Sequence, residues 1–306
     1  MTFTQTIKSE ILKIKNDKKC CRRAMLYGML LFSSWFEEGK IGFSSENKEL
    51  TDKARKLLDE FTGPENVQLY TTNNPEHTEY RVSVLGNDAK ADAEFLRSLG
   101  YISGNTTYKI LFENFECDLC KAAFLRGAFL ACASVVSPES SYHMEFVVSR
   151  FNLSRELLRL LKICGFTGKY TKRNSHYVVY FKDSEAIVDL IAFIGAVNCS
   201  FDMTNYIIEK NIRNNCNRVA NCEAANIKRT VSTAQKHIDA IRALMDSGHF
   251  STLSNELRET ALLRLENDDV SLSELSLLHN PPVTKSCVNH RLTKICDIWE
   301  SKINDK

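Results

Sequence analysis

The chain has 306 residues, 43% of them hydrophobic, which is enough for more than one domain with a core of its own. Its formal net charge of +2 excludes a strongly basic protein, so any contact with nucleic acid must come from local patches. The chain has eleven cysteines, and residues 1–20 show no secretory signal, so we expect reduced thiols in the cytosol. It contains no apolar run long enough to span a membrane, so we expect no membrane partner.

The first predicted helix covers Phe3–Lys15, where three isoleucines from Ile7 to Ile14 share one face. A basic run follows it and ends in Arg22 and Arg23. Such a run forms either a solvated surface or a contact with phosphates, and both interpretations stay open.

Two small-residue segments, CRRAMLYGMLLFSSW from Cys21 and CKAAFLRGAFLACASVVSP from Cys120, resemble each other at an offset of 99 residues. Gly28 and Gly127 occupy matching places, although a glycine inside a helix costs about 1 kcal/mol relative to alanine. We expect both segments to be helical and to approach each other closely at these glycines, where no side chain keeps the backbones apart.

The elements predicted after each segment also recur. The first series is a strand near residues 40–44, a helix over Leu50–Phe61, a hairpin and a helix closing on Leu99-Gly100. The second is a strand over Tyr142–Arg150, a helix over Ser154–Cys164, a hairpin and a helix closing on Ile194-Gly195. The repeats span about 20–105 and 117–205, which is long for a solenoid repeat and indicates a duplicated half-domain.

This order of elements resembles the LAGLIDADG homing-endonuclease fold, with Leu26–Ser34 and Leu125–Ala133 in the nine motif positions. In those nucleases the eighth position carries an acid that binds a divalent metal. Here the eighth positions are Ser33 and Cys132, and neither can replace a carboxylate on Mg²⁺. The resemblance therefore implies a saddle-shaped fold with no catalytic residues, no metal and no cofactor; a nuclease relying on Glu37, Glu38 or Glu139 is the disfavoured alternative.

Two further patterns leave alternatives open. The pairs Cys20-Cys21 and Cys117-x-x-Cys120 could suggest zinc, but adjacent cysteines are poorly spaced as ligands, and ordinary buried thiols are the favoured interpretation. Lys169, Lys172 and Arg173 lie in a predicted hairpin that could follow a DNA backbone or be an ordinary edge hairpin.

The asparagine-rich passage 211–221 favours turns and caps, and we interpret it as a linker. The helix predicted next, Cys222–Asp246, carries apolar residues on one face from Ile227 and Val231 to Met245. Basic residues make this region a linker helix, a DNA clamp or both: Arg213, Arg218, Lys228 and Arg229.

The most specific local signal is Ser271–Glu274, a capping box that starts a helix ending before Pro281-Pro282. In the helix predicted from Thr284, Val288, Leu292 and Ile295 face inward. This pattern is typical of a helix-turn-helix, although packed helix pairs with a polar face also occur in proteins of other kinds. The residues expected to contact DNA are Lys285, Ser286, Asn289, His290, Arg291 and Lys294.

Taken together, the duplicated motif and the terminal helix pair are similar to the WhiA family. The match is carried by Cys20–Ala24, Phe124–Ala131, Tyr142–Glu145, Arg213-Asn214 with Asn217-Arg218, Asn221–Asn226 and Val288–Leu292. The resemblance implies an α+β protein with a saddle domain over 1–210, a linker over 211–221 and an all-α helix-turn-helix domain over 222–306.

The resemblance also implies a role. Members of this family are bacterial DNA-binding regulators, linked to sporulation or to cell division and chromosome segregation. We therefore expect double-stranded DNA as partner, transcription or cell-division proteins as further partners, and a place in the cytoplasm with the nucleoid. An alternative is a DNA-bound scaffold whose N-terminal domain binds a protein or a ligand instead of DNA.

Overall fold

The computed structural model describes residues 2–37, 40–73, 78–84, 95, 99 and 109–304. These residues form two compact units, Met1–Lys210 and Asn211–Lys306. The helix predicted to close the first repeat on Leu99-Gly100 lies outside the described residues except at isolated positions. Within the described part of the chain, no helix is both long and apolar enough to cross a bilayer.

The first half of the N-terminal unit builds a four-stranded antiparallel sheet in the order β1-β2-β4-β3. Its α3 begins at the N-cap Asn47, whose side chain accepts a hydrogen bond from the Glu49 amide, and ends at Gly63, where φ is 87°. The elements are α1 (Phe3–Lys13), α2 (Lys19–Leu31), β1 (Phe36–Glu37), β2 (Lys40–Ser45), α3 (Lys48–Thr62), β3 (Val67–Asn73) and β4 (Thr78–Val84).

The second half repeats that order, with a sheet arranged β5-β6-β8-β7, which confirms the predicted duplication. Along β6, Met144, Phe146 and Val148 are buried and alternate with half-buried neighbours, as the period of two predicts. The elements are α4 (Leu119–Cys132), β5 (Ala133–Val135), β6 (Met144–Val148), α5 (Phe151–Ile163), β7 (Lys169–Arg173), β8 (His176–Phe181) and α6 (Ser184–Phe193).

The two motif helices, α2 and α4, pack against each other at the paired glycines. A Cβ atom on Gly28 would lie 2.2 Å from the Phe124 carbonyl oxygen, and one on Gly127 would lie 2.1 Å from the Met25 oxygen. Both distances are far below van der Waals contact, so only glycine fits at either place. The predicted close approach of the helices is confirmed.

The C-terminal part corrects one prediction. A single helix of 50 residues, α7, runs over Val197–Asp246, so the asparagine-rich passage 211–221 is helical and not a turn. Asparagine costs only a fraction of a kcal/mol in a helix, and extending an existing helix adds one hydrogen bond per residue without a new nucleus. The remaining helices are α8 (Asn255–Glu266), α9 (Leu272–Leu277) and α10 (Lys285–Asn304), with short 3₁₀ turns at Pro64–Asn66, Phe112–Asn114 and His249–Thr252.

Candidate nucleic-acid interface

The predicted capping box starts α9. The Ser271 hydroxyl accepts a hydrogen bond from the Glu274 amide at 3.3 Å, and the Glu274 carboxylate accepts one from the Ser271 amide at 2.8 Å. This exchange satisfies two amides that have no partner inside the helix. The hydrogen bonds also lower the pKa of Glu274 from its ordinary value, so the cap is ionised at neutral pH.

The predicted inward face of α10 is confirmed. Val288, Leu292 and Ile295 are fully buried, and they pack with Leu275 of α9 and Leu257 of α8 in the core of the C-terminal unit. Three residues at spacings of four and three therefore fix which side of α10 faces away from that core.

The outward face of α10 carries a free polar set at the beginning of the helix. Lys285, Ser286, Asn289, His290 and Lys294 are all exposed. Among the residues that the structure describes, none of these five side chains has a hydrogen bond or ion pair. Amides, hydroxyls and cations can donate to base edges and to phosphates, so this face has the chemistry of a recognition helix.

Arg291 differs from the other residues of the predicted set. Its side chain is only 14% exposed; Nη1 donates to the Thr260 hydroxyl at 3.3 Å, and Nη2 lies 3.5 Å from a Glu256 carboxylate oxygen. Both partners belong to α8. Arg291 therefore links α10 to α8, and its contact with DNA stays a prediction.

The basic stretch of α7 is exposed along its length, including Arg213, Arg218, Lys228 and Arg229. Arg229 donates to the Ala225 carbonyl and to the Asn226 side chain within the same helix. Ile227 and Val231 belong to the predicted apolar face of this helix, yet they are 64% and 59% exposed. In the C-terminal unit, burial along α7 begins at Ala234 and continues through Ile238 and Ile241, because the core of that unit is shorter than the apolar stripe of the helix.

In the second sheet the three predicted basic residues divide between two faces. Lys169 and Arg173 lie on one side of β7. Lys172 lies on the other side, opposite Tyr177 of β8, which is the side that carries the buried Val148 of β6. The Lys172 ammonium lies 5.8 Å from the centre of the Tyr177 ring. The alternation of a strand forces this split. Arg173 forms an ion pair with Glu145 at 2.9 Å. Burial raises the pKa of Glu145, but the hydrogen bonds from Arg173 and His143 outweigh it, so the pKa lies below its ordinary value.

The two arginines at the start of α2 have partners inside the protein. Arg22 donates to the Glu60 carboxylate at 2.9 Å and to the Asn16 and Asp17 carbonyls, and Arg23 lies 3.7 Å from Glu116. Arg22 thus links α2 to α3 and to the loop that precedes α2. Most of its donors have partners inside the protein, and a contact of Arg22 with phosphate stays a prediction.

At the former metal positions, the Ser33 hydroxyl accepts from the Trp35 amide at 3.1 Å, and the Cys132 thiol donates to the Ala128 carbonyl at 3.3 Å. Burial raises the pKa of Cys132 to about 12, so this position holds a neutral thiol. Lys8 of α1 lies beside it and donates to the Leu130 carbonyl at 3.0 Å. Burial lowers the pKa of Lys8 from its ordinary value, and its amino group lies next to the thiol at the second former metal position.

Comparison with known proteins places the chain in a family. Residues 121–213 match the model of the WhiA LAGLIDADG-like domain and residues 216–299 that of the WhiA C-terminal HTH domain. A protein of Alkaliphilus metalliredigens named "Probable cell division protein WhiA" is 33% identical over 97% of this chain and 97% of its own length. The chain belongs to the WhiA family.

Further WhiA relatives agree with this assignment. A Caldicellulosiruptor saccharolyticus protein of the same name is 33% identical over 98% of this chain and 95% of its own. The crystal structure of full-length DUF199/WhiA from Thermatoga maritima matches with a TM-score of 0.59 and 20% identity, covering 98% of this chain and 99% of that one. That structure supports the fold.

In this WhiA chain the structure also brings together two cysteine pairs that the sequence interpretation treated as ordinary buried thiols. The sulfurs of Cys20, Cys21, Cys117 and Cys120 all lie within 4.8 Å of one another. A signal existed in the sequence, since Cys21 and Cys120 hold matching positions of the repeat. Matching ends of two paired helices meet in space, so the repeat itself indicates that the two cysteine pairs approach each other.

Three thiols of the cluster, those of Cys21, Cys117 and Cys120, differ in acidity. Burial raises the pKa of Cys21 to about 12 and that of Cys120 to about 11. Burial acts on Cys117 in the same direction, but hydrogen bonds from the other three thiols and from the Leu119 amide outweigh it and lower the Cys117 pKa to about 7. Cys117 thus ionises more readily than Cys21 or Cys120.

Proposed function

We propose that this chain is a non-enzymatic protein of bacterial cell division that binds double-stranded DNA through α10. The observation that carries the proposal is the free polar set of α10, held on a fully buried apolar face. In helix-turn-helix proteins the N-terminal residues of the recognition helix contact base edges. Lys285, Ser286, Asn289 and His290 occupy that part of α10.

The proposal that this chain does not cleave DNA is based on the residues at the former metal positions. A two-metal cut needs several anionic oxygen ligands, whereas Ser33, Cys132 and the neighbouring Lys8 supply a hydroxyl, a neutral thiol and a cation. A divalent metal placed there would be repelled by the Lys8 ammonium. This arrangement supports a saddle domain that does not hydrolyse DNA.

The finer role that we propose is regulation of transcription coupled to cell division and chromosome segregation, exerted in the cytoplasm at the nucleoid. Its support is the printed name of the relatives, which calls them probable cell division proteins, together with the DNA-binding chemistry of α10. Partners among transcription or cell-division proteins belong to the same proposal.

The test of α10 compares two lysines of one helix in the full-length protein. Lys285 and Lys302 are both exposed and lie about 25 Å apart along α10. If Lys285 contacts a phosphate, Lys285→Ala weakens binding to all sequences and reduces the slope of log K against log salt by about 0.9, whereas Lys302→Ala changes neither. Equal effects of the two substitutions would contradict the assignment.

Base recognition is tested separately through Asn289. Replacing Asn289 with alanine should relax the preference at one base pair, at a cost of about 1–3 kcal/mol for the preferred site. Competition binding against a randomised site library measures this preference. If Asn289→Ala leaves affinity and site preference unchanged, α10 is not the recognition helix.

One observation favours the alternative in which the saddle binds a protein or a ligand. Two of its cations are neutralised internally, since Arg173 pairs with Glu145 at 2.9 Å and Arg81 with Glu79 at 3.2 Å. A saddle that held DNA would have Arg173 and Lys169 near phosphates. Lys169→Gln with Arg173→Gln in the full-length chain would then lower the salt slope by about 1.8. An unchanged slope favours the partner-binding saddle.

Full-length variants are preferable to separate domains for this question. Because α7 is one helix over Val197–Asp246, any cut between residues 210 and 222 would divide a helix. Loss of binding by a fragment could then reflect unfolding, whereas charge variants leave the backbone intact.

A further inference from the structure

The cysteine cluster has the dimensions of a metal site. The Cys117 sulfur lies 3.7 Å from that of Cys20, 3.5 Å from that of Cys21 and 3.5 Å from that of Cys120. In a tetrahedron of thiolates around zinc, a Zn–S bond of about 2.3 Å places the sulfurs about 3.8 Å apart. The observed sulfurs are within a few tenths of an ångström of that spacing along three edges.

The position of the cluster also favours bound thiolates. Cys20 and Cys21 lie in the first turn of α2, and Cys117 and Cys120 flank the start of α4. The partial positive charge at a helix start stabilises a thiolate. The Leu119 amide donates to the Cys117 sulfur, and such bonds orient a ligand and offset its charge.

A metal could also reach these sulfurs. Cys21 and Cys120 are buried, whereas Cys20 and Cys117 are half-buried. Cys20 lines a surface cleft of about 300 Å³ together with Lys19 and Arg23. Glu116 also lines the cleft and lies 3.7 Å from Arg23, so Lys19 is the cation that would offset part of the net charge of −2 that four thiolates and one divalent ion carry.

We propose that Cys20, Cys21, Cys117 and Cys120 together bind one Zn²⁺ ion. Four soft sulfur ligands in a tetrahedron select Zn²⁺ over hard cations such as Mg²⁺ or Ca²⁺. Each thiol that coordinates gives its proton to solvent, and no oxidant or reductant is required. Because all four ligands come from the protein and no position is left for water, the site is structural.

This zinc site is separate from the metal positions of the LAGLIDADG nucleases. The nuclease position in α4 is Cys132, which follows Cys120 by twelve residues, or about 18 Å along the helix. The zinc ion would join the starts of α2 and α4, one from each repeat. It would hold together two segments that are nearly a hundred residues apart in sequence, at the end of the helix pair away from Ser33 and Cys132.

The first measurement is made on full-length protein purified under reducing conditions. Elemental analysis should find one zinc per chain. After removal of zinc with a chelator, titration with Co²⁺ should produce the intense sulfur-to-cobalt absorption of a tetrahedral thiolate site and saturate at one equivalent. Protein that holds less than stoichiometric metal and shows no such absorption would overturn the proposal.

Matched serine variants identify the ligands. Cys20→Ser and Cys117→Ser should lose the zinc and weaken the cobalt band, whereas Cys164→Ser, a half-buried cysteine of the same unit outside the cluster, should retain both. If both cluster variants are folded by circular dichroism and keep the wild-type spectrum, the assignment is wrong. If either variant fails to fold, the cobalt spectrum of the wild-type protein still decides.

A redox role is the competing outcome. Mass spectrometry of the unreduced protein after thiol blocking would show a loss of two hydrogens for each disulfide within the cluster. A disulfide there, with no metal in the reduced protein, would make the cluster a thiol pair and refute the zinc site. The experiment does not depend on DNA binding, so the proposed function and the zinc site can fail separately.

Discussion

Replacing Gly127 with alanine should destabilise the N-terminal unit, although helix propensity alone predicts the opposite. Alanine is more favourable than glycine inside a helix by about 1 kcal/mol. The new Cβ, however, would lie 2.1 Å from the Met25 oxygen and 2.7 Å from the Met29 nitrogen, so α2 and α4 would have to separate by about 1 Å. Overpacking of this kind costs up to about 3 kcal/mol, and we expect a net loss of about 2 kcal/mol.

The two tryptophans provide the assay, since Trp35 belongs to the N-terminal unit and Trp299 to the C-terminal unit. In a Trp299→Phe background, urea unfolding followed by fluorescence reports on the N-terminal unit alone. Ala131→Gly on the half-buried side of α4 is the control; it should cost about 1 kcal/mol through helix propensity, with a small addition from the methyl group that packs against the core. A Gly127→Ala protein that unfolds at higher urea than wild type would refute the reasoning.

Two other predictions concern the C-terminal unit, followed by Trp299 in a Trp35→Phe background. Burial, with the nearby Arg264 charge, lowers the His237 pKa to about 4, so the unfolded state binds more protons than the folded state below about pH 6.5. The free energy of unfolding should therefore be constant above about pH 7 and lower by about 2 kcal/mol at pH 5. His237→Gln should flatten this pH dependence, and an unchanged slope would show that His237 does not cause it. Ser271→Ala should cost about 1 kcal/mol by removing the α9 cap, whereas the exposed Ser273→Ala should be near neutral; equal losses would argue against the capping box.

The structure confirms the features that were predicted from short-range patterns in the sequence. The Ser271–Glu274 capping box, the buried face of α10 and the alternation along β6 each depend on spacings within one element. The paired glycines were also predictable, because a residue that disfavours helix and recurs at the same place in two repeats needs a packing reason.

Several side chains have roles that spacing could not reveal. Arg22 and Arg291 belong to basic segments, yet they pair with Glu60 and Glu256, residues on other helices. Ile227 and Val231 continue an apolar stripe that the core of the C-terminal unit does not reach. For such residues the partner, and not the local pattern, determines whether the side chain is free, paired or exposed.

The sequence by itself determined the α+β class, the duplication, the absence of carboxylates at Ser33 and Cys132, and the inward face of α10, since these follow from residue type and period. Only the tertiary structure decided that residues 211–221 continue a helix, that Lys8 lies beside Cys132 and that four cysteines meet at the starts of α2 and α4. The last two of these arrangements join positions roughly 100 to 120 residues apart in the chain. Their energies come from contacts between elements, which no local sequence pattern encodes.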